Sequence, residues 1–274
     1  MSQCYAKLGR IYKHLGKYDL AIQYLEDGMK IIKEEIAGAN LGFLMSYFLF
    51  YLILVAQDLN SLDLADDYLK QIQELKQTSK SKFVQLRIQF SEAIVLKMNK
   101  RMAEKFQAQQ LFEDIVAAEI IDHNITVLSI LNLFVLLILE AKYSETAEDI
   151  LCKVTQLSEQ LLEIAQNQQS ASMTILALLL QTKLALVQGD VEEASQPLSN
   201  AKKIATEKKL VNLQVEIKRE QETVQRELDK WNELIQRKAS IQERVEYAQI
   251  ASWLVEAKKI QETWVNPKSE IVNQ

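Results

Sequence analysis

The residues in this sequence that could do chemistry are few. They are two histidines, two cysteines and several adjacent carboxylates. His14 and His123 stand 109 residues apart, whereas a metal site calls for clustered His, Cys or carboxylate ligands. A Cys–His nucleophile pair needs the two side chains in contact. Cys4 lies ten residues from His14 along one helical stretch, too far to touch it. His14 is expected near the end of the first helix, on its exposed face, and His123 in the helix-start loop Asp122-His123-Asn124. Cys4 and Cys152 read as small buried or half-buried side chains, with no disulfide framework, as in an intracellular chain. Asp66-Asp67 and Glu192-Glu193 fall on amphipathic stretches and read as solvated faces or helix starts. There is no phosphate-cradling GxxxxGK[ST] loop, no GxGxxG and no HExxH. The expectation is a protein that is not an enzyme and carries neither metal nor cofactor.

The elements behind these residues follow from composition. With six glycines and two prolines in 274 residues, the chain lacks the turn formers that hairpins demand. Leu, Ala, Gln, Glu and Lys abound, which favours helices throughout. The net charge is −5, from 32 basic and 37 acidic residues that are well mixed, so no basic footprint for nucleic acid exists. The first residues carry Lys7, Arg10 and Lys13 without an apolar h-region, so no signal peptide is read.

The first thirty residues hold the clearest pattern, CYAKLGRIYKHLGKYDLAIQYLEDGMKI. Tyr5, Leu8-Gly9 and Tyr12 mark one helix, Gly16 a turn, and Tyr18, Ala21 and Gly28 a second helix. Gly9 and Ala21 are small where two antiparallel helices cross closely, about 8–10 Å apart. Gly16 ends the first helix by taking a left-handed conformation. The pattern, clearest in residues 2–33 and again in 176–205, resembles a tetratricopeptide repeat. In the second region Gly189 ends a helix, Asp190 with Glu193 reads as a capping box, and Ala194, Leu198 and Ala201 keep the family spacing. Three weaker pairs lie between, their second helices marked by Ala65 with Leu69, Ala108 with Phe112, and Ala147 with Leu151. From Ala21 the marker alanines follow at intervals of 44, 43, 39 and 47 residues. These exceed the family's usual period of about 34, so longer helices are expected.

The stretch LGFLMSYFLFYLILVA, residues 41–56, has no charge. Its sixteen residues fall short of the roughly 20 needed to cross a bilayer. It reads instead as the first helix of pair two, as ITVLSILNLFVLLIL does for pair four and SMTILALLLQTKLALV for pair five. First helices of a solenoid are sandwiched between neighbours and can be apolar nearly all round, while their partners are amphipathic. From Lys209 to Lys238 the character changes to one long amphipathic helix, with Leu210, Ile217, Val224 and Trp231 seven residues apart. Ser240 and Glu243 read as a capping box for a last helix carrying Ile241, Val245, Ala248 and Leu254. This segment reads either as a hairpin shielding the last repeat or as a coiled-coil-like partner or dimer surface.

The expected architecture is all-α: a right-handed superhelical solenoid of about five antiparallel helix pairs over residues 1–208. A long helical hairpin follows over 209–264 and a flexible tail over 265–274. The resemblance implies a cytoplasmic scaffold or adaptor that binds a peptide or helix of a partner protein. It implies no nucleic acid and no membrane span. A ligand- or peptide-sensing regulatory segment of a signalling or transcription system is the alternative. On the family's inner face, the first helices would offer Arg10, Lys13, His14, Tyr47, Tyr51, Asn132 and Lys183, with Gln3, Ala6, Phe50 and Leu54 beside them. Ala6 and Arg10 stand where the family's carboxylate clamp has Lys and Asn, so that mode of recognition is not implied. The pair Arg10 and Lys13 points to an acidic partner. The apolar face is explained either by tight packing that fills the groove or by a hydrophobic groove for a helix or extended peptide. A well-formed first repeat with no polar cap suggests either that the chain continues a longer array or that this repeat pairs with another molecule. The N-terminal repeat and the C-terminal hairpin are therefore both candidates for self-association.

Overall fold

The computed structural model describes residues 2–35, 39–250 and 252–254. The described residues form twelve α-helices and no strand. In chain order they are α1 (Ser2–His14), α2 (Tyr18–Glu35), α3 (Ala39–Asp58), α4 (Leu62–Thr78), α5 (Lys82–Met98) and α6 (Met102–Ala117). They continue as α7 (His123–Ala141), α8 (Ala147–Asn167), α9 (Ala171–Gln188), α10 (Val191–Glu207), α11 (Val211–Gln236) and α12 (Ile241–Ala248). Each alanine that marked a second helix lies in one and is buried: Ala21, Ala65, Ala108, Ala147 and Ala194. The chain is thus an all-α repeat of helix pairs. It divides into two compact units, Met1–Ser129 and Ile130–Gln274, with the division inside α7.

In the first unit α1 packs on α2, α3 on α4 and α5 on α6, while α3 also packs on α2 and α5. The α1–α2 turn is fixed by three backbone bonds. Gly16 N–H reaches Lys13 O, Lys17 N–H reaches Tyr12 O, and Ala21 N–H reaches Lys17 O. The same bonds recur forty-four residues on between α3 and α4: Asn60 to Gln57, Ser61 to Ala56 and Ala65 to Ser61. They recur again at Gly189 between α9 and α10. This closure places one residue in the left-handed region. Gly16 and Gly189 do so without strain, as expected, but Asn60, Gln169, Lys209 and Lys238 take the same role without being glycine.

The close approach at Gly9 is real. A Cβ there would stand 2.5 Å from Leu25 Cγ on α2. At Gly28 a Cβ would stand 2.3 Å from Phe48 Cε1 on α3, so this glycine sets the contact between pairs one and two. The core of the unit continues through Phe50 against Phe90 and Phe90 against Phe112, with ring centroids 5.4 and 5.7 Å apart.

In the second unit α9 packs on α8 and α10, α11 covers α10, and α12 rests on α9 and α8. Ile175, Leu178 and Leu179 of α9, Leu198 and Ala201 of α10, and Leu213 and Ile217 of α11 share one core. Leu210 and Val224 pack against that core, and Trp231 is buried with its ring edge-on to Tyr247. The heptad stripe of α11 therefore packs within its own chain.

Several expectations are corrected. The first helix of pair two has 20 residues, not sixteen, because Ala39, Asn40, Gln57 and Asp58 extend it. By length and composition three helices could cross a membrane: Asn40–Asp58, His123–Ala141 and Ala171–Gln188. Length therefore excludes nothing here. What sets these helices apart is that 56%, 78% and 67% of their most apolar windows are buried within the protein. Asp190 occupies the N-cap position but its side chain makes no capping hydrogen bond. Ser240 does accept from Glu243 N–H, but the Glu243 carboxylate turns to Arg237 instead of completing the box. The last helix breaks at Gln249, which is left-handed, before Ile250 and Leu254 are buried in a further helical stretch. Cys4 and Cys152 are both exposed, since each projects from the outward side of an amphipathic helix. The end of the expected hairpin and the tail over 265–274 lie outside the described residues.

Candidate interaction site

The first helices α1, α3 and α5 of the first unit bring together most of the predicted inner-face residues. Arg10 on α1 donates from Nη1 to the Tyr47 hydroxyl on α3 at 3.1 Å. Its guanidinium also lies 5.3 Å from the centre of the Tyr51 ring. Tyr47 and Tyr51, one helical turn apart, have ring centroids 4.8 Å apart. On the other side of Tyr47 lies Arg87 of α5, its guanidinium 5.3 Å from that ring and 4.6 Å from Phe43. Arg87 is buried and donates to Ser46 Oγ and to Phe43 O, each at 3.0 Å. Two guanidinium groups thus flank a tyrosine, and each is held by cation–π contact as well as hydrogen bonding.

Lys13 does not reach solvent. Only 4% of its surface is exposed, and its ammonium pairs with Asp58 at the end of α3, 2.9 Å away. The reading of Lys13 as an exposed partner contact is therefore corrected. Its alkyl stem is packed at the helix crossing, and its charge is matched within the chain. His14 is likewise half-buried rather than exposed. Burial, then the adjacent cations Lys13 and Arg10, lower its pKa to about 4, with Asp58 opposing in part. The imidazole is neutral at pH 7.

Phe50 and Leu54, expected to point outward beside Tyr47 and Tyr51, are buried instead. Phe50 packs on Phe90 of the next pair. Of the predicted set, Arg10, His14, Tyr47 and Tyr51 remain half-exposed, and Arg10, Tyr47 and Tyr51 face one another.

The remaining two predicted residues lie in the second unit and have structural partners. Asn132 is buried in α7, at 2% exposure. Lys183 of α9 donates to Glu220 of α11 at 2.7 Å, with both residues buried. The Trp253 ring centre lies 5.6 Å from the Lys183 ammonium. The position that would offer a cation to a partner is answered by the chain's own C-terminal segment.

Sequence reasoning missed Arg87, Asp58 and Glu220. Arg87 sits in the apolar pattern of KFVQLRIQFSEAIVL, where a lone cation against aromatic neighbours was the available sign. Asp58 and Glu220 carried no local sign, because their partners come from other helices. Among the described residues no group of three or more His, Cys, Asp or Glu could hold a metal ion. No family model matches this chain, and comparison with curated proteins finds no match.

Proposed function

We propose that this chain is a tetratricopeptide-type interaction scaffold, a right-handed superhelical array whose first helices bind a peptide or helix of a partner protein. In this reading it is not an enzyme, it is cytoplasmic, and its three apolar helices are interior elements of the repeat. The observation that carries the reading is the half-exposed group of Arg10, Tyr47 and Tyr51, pre-set by its own contacts. Arginine and tyrosine are favoured anchors at interfaces, because they bury large areas and keep polar handles. A group already fixed in place loses little side-chain freedom on binding. The half-exposed guanidinium of Arg10 favours a carboxylate-bearing partner segment.

The test is selection of peptides from a displayed random library on the intact chain. Carboxylate-bearing peptides should be enriched. Arg10→Gln or Tyr51→Phe, which keep most of the packing, should weaken them by tenfold or more, which corresponds to about 1.4 kcal/mol, with the cooperative unfolding transition retained. Enrichment of peptides that bind both variants as well as the parent would remove the site from consideration. Recovery of the chain only in the membrane fraction would overturn the placement of the apolar helices.

A further inference from the structure

Arg87 is an arginine where the repeat needs none. Ala65 and Ala108 mark successive second helices forty-three residues apart, and in that register Arg87 corresponds to Leu44. A buried guanidinium must be matched by partners that offset the cost of leaving water. A leucine would pack there without that cost. The contacts of Arg87 therefore show what the arginine does that a leucine cannot.

Its Nη1 donates to Phe43 O and to Ser46 Oγ, each at 3.0 Å, and Ser46 Oγ in turn donates to Phe43 O at 2.8 Å. These three groups close a ring of hydrogen bonds on the turn of α3 that precedes Tyr47. The ring fixes the guanidinium 4.6 Å from the centre of the Phe43 ring and 5.3 Å from that of Tyr47. A planar, delocalised cation can lie against both rings, which an ammonium cannot do equally well.

Tyr47 passes the constraint on. Its hydroxyl accepts from Arg10 Nη1 at 3.1 Å, and the Arg10 guanidinium lies 5.3 Å from the Tyr51 ring centre. The series thus runs from α5 through α3 to α1, all within the first unit. Arg87, at one end, is 6% exposed and out of a partner's reach, whereas Arg10, at the other, is half-exposed.

We propose that Arg87 is a positioning residue of the inner-face site: it holds the Tyr47 ring so that the Tyr47 hydroxyl orients the Arg10 guanidinium for a partner's carboxylate. The proposal rests on the inner-face reading for its ligand. It makes a side chain that the partner never meets a determinant of affinity.

The first measurement needs no partner. The Nε–H resonance of Arg10, in the 15N-labelled intact chain, reports how its guanidinium is held. Tyr47→Phe removes the hydroxyl and should shift this resonance, and Arg87→Met should shift it likewise. Ile88→Val trims a buried neighbour on α5 and should leave it in place. Ser46→Ala removes one partner of Arg87 without touching a ring, and should move the resonance in the same direction as Arg87→Met even if Arg87→Met itself folds poorly. The second measurement is the affinity of a fluorescein-labelled synthetic peptide with the acidic consensus enriched from the displayed library on the parent chain. Arg87→Met and Tyr47→Phe should each weaken it about fivefold, as for the loss of one ordinary hydrogen bond. The double variant should bind no more weakly than either single one, because Arg87 acts through Tyr47. Arg87→Lys keeps the charge but not the planar fork and should bind as Arg87→Met does, whereas Ile88→Val should bind as the parent does. Additive losses in the double variant would overturn the proposal, as would full affinity in Arg87→Lys or an Arg10 resonance unmoved by both Arg87→Met and Ser46→Ala. Acidic peptides that depend on Arg10 but not on Arg87 would sink this proposal alone. Failure to enrich any acidic consensus would remove the inner-face reading and this proposal with it.

Discussion

The contact between pairs one and two can be tested with one added methyl group. At Gly28 a Cβ would stand 2.3 and 2.7 Å from Phe48 Cε1 and Cζ, and 3.0 Å from the Tyr5 Cβ. Phe48 is 1% exposed, so its ring has no solvent to swing into. Overpacking of this kind costs about 1–3 kcal/mol, and a rigid ring on one side with a stem carbon on the other places Gly28→Ala near the upper end. Alanine regains about 1 kcal/mol of helix propensity. The net expectation is a loss of about 2 kcal/mol, or roughly 4–8 °C of melting temperature for a chain of this size. Gly42 in α3 is the matched control. Its added Cβ would meet nothing nearer than the Ser79 Cβ at 3.6 Å, so Gly42→Ala should gain up to about 1 kcal/mol. Urea unfolding of both variants against the parent measures the difference, which should be about 3 kcal/mol. Equal stability of Gly28→Ala and Gly42→Ala would refute the assignment of Gly28 to a tight crossing.

Ile53→Asp places a carboxylate at a position with 1% exposure and should cost about 4 kcal/mol or more, read as loss of the cooperative unfolding transition in the first unit. Lys183→Met alone strands Glu220 in the core and should destabilise by about 3–5 kcal/mol, whereas Lys183→Met with Glu220→Leu should be close to neutral; a double variant as unstable as the single would deny the pairing. His14 has a folded pKa near 4, below its ordinary value, so the unfolded chain takes up the proton first as pH falls. Stability from this group is therefore complete above about pH 6.5 and lost between there and pH 4. The full shift would amount to about 3 kcal/mol, and partial solvation reduces it to roughly 1–1.5 kcal/mol. Between pH 7 and pH 4.5, His14→Gln should lose correspondingly less stability than the parent in urea unfolding, and equal losses would contradict the burial of His14.

The helix pairs were legible because their signals are local. A small residue at each crossing and an uncharged first helix are visible within one window of sequence, and Ala21, Ala65, Ala108, Ala147 and Ala194 all proved buried. Turns were legible only where glycine marked them. Asn60, Gln169, Lys209 and Lys238 adopt the same left-handed conformation with no residue type to announce it, because the turn bonds offset the cost of the side chain. The candidate site was half legible. Arg10, Tyr47 and Tyr51 were reached through the resemblance, as inner-face positions of first helices. The burial of Lys13 and Lys183 depends on Asp58 and Glu220, which come from other helices, and no spacing rule joins them. A lysine on an amphipathic stretch looks solvated until the opposing helix supplies its carboxylate.

The shared register of the first two turns makes them interchangeable joints. Excising residues 17–60 would fuse Gly16 directly to Ser61, which makes in its own turn the bond that Lys17 makes in the first. Gly16 would occupy the left-handed position that Asn60 holds now. Gly9 would meet Leu69, the counterpart of Leu25. The cost of losing one whole cassette would then fall on the faces rather than on the joint. The aromatic side of α3 disappears, and α5 is left opposite Ala6, Arg10 and Lys13 where it now has Phe50, Leu54 and Gln57. In this chain the hinge between helices is generic, and identity resides in the surfaces that the hinges bring together.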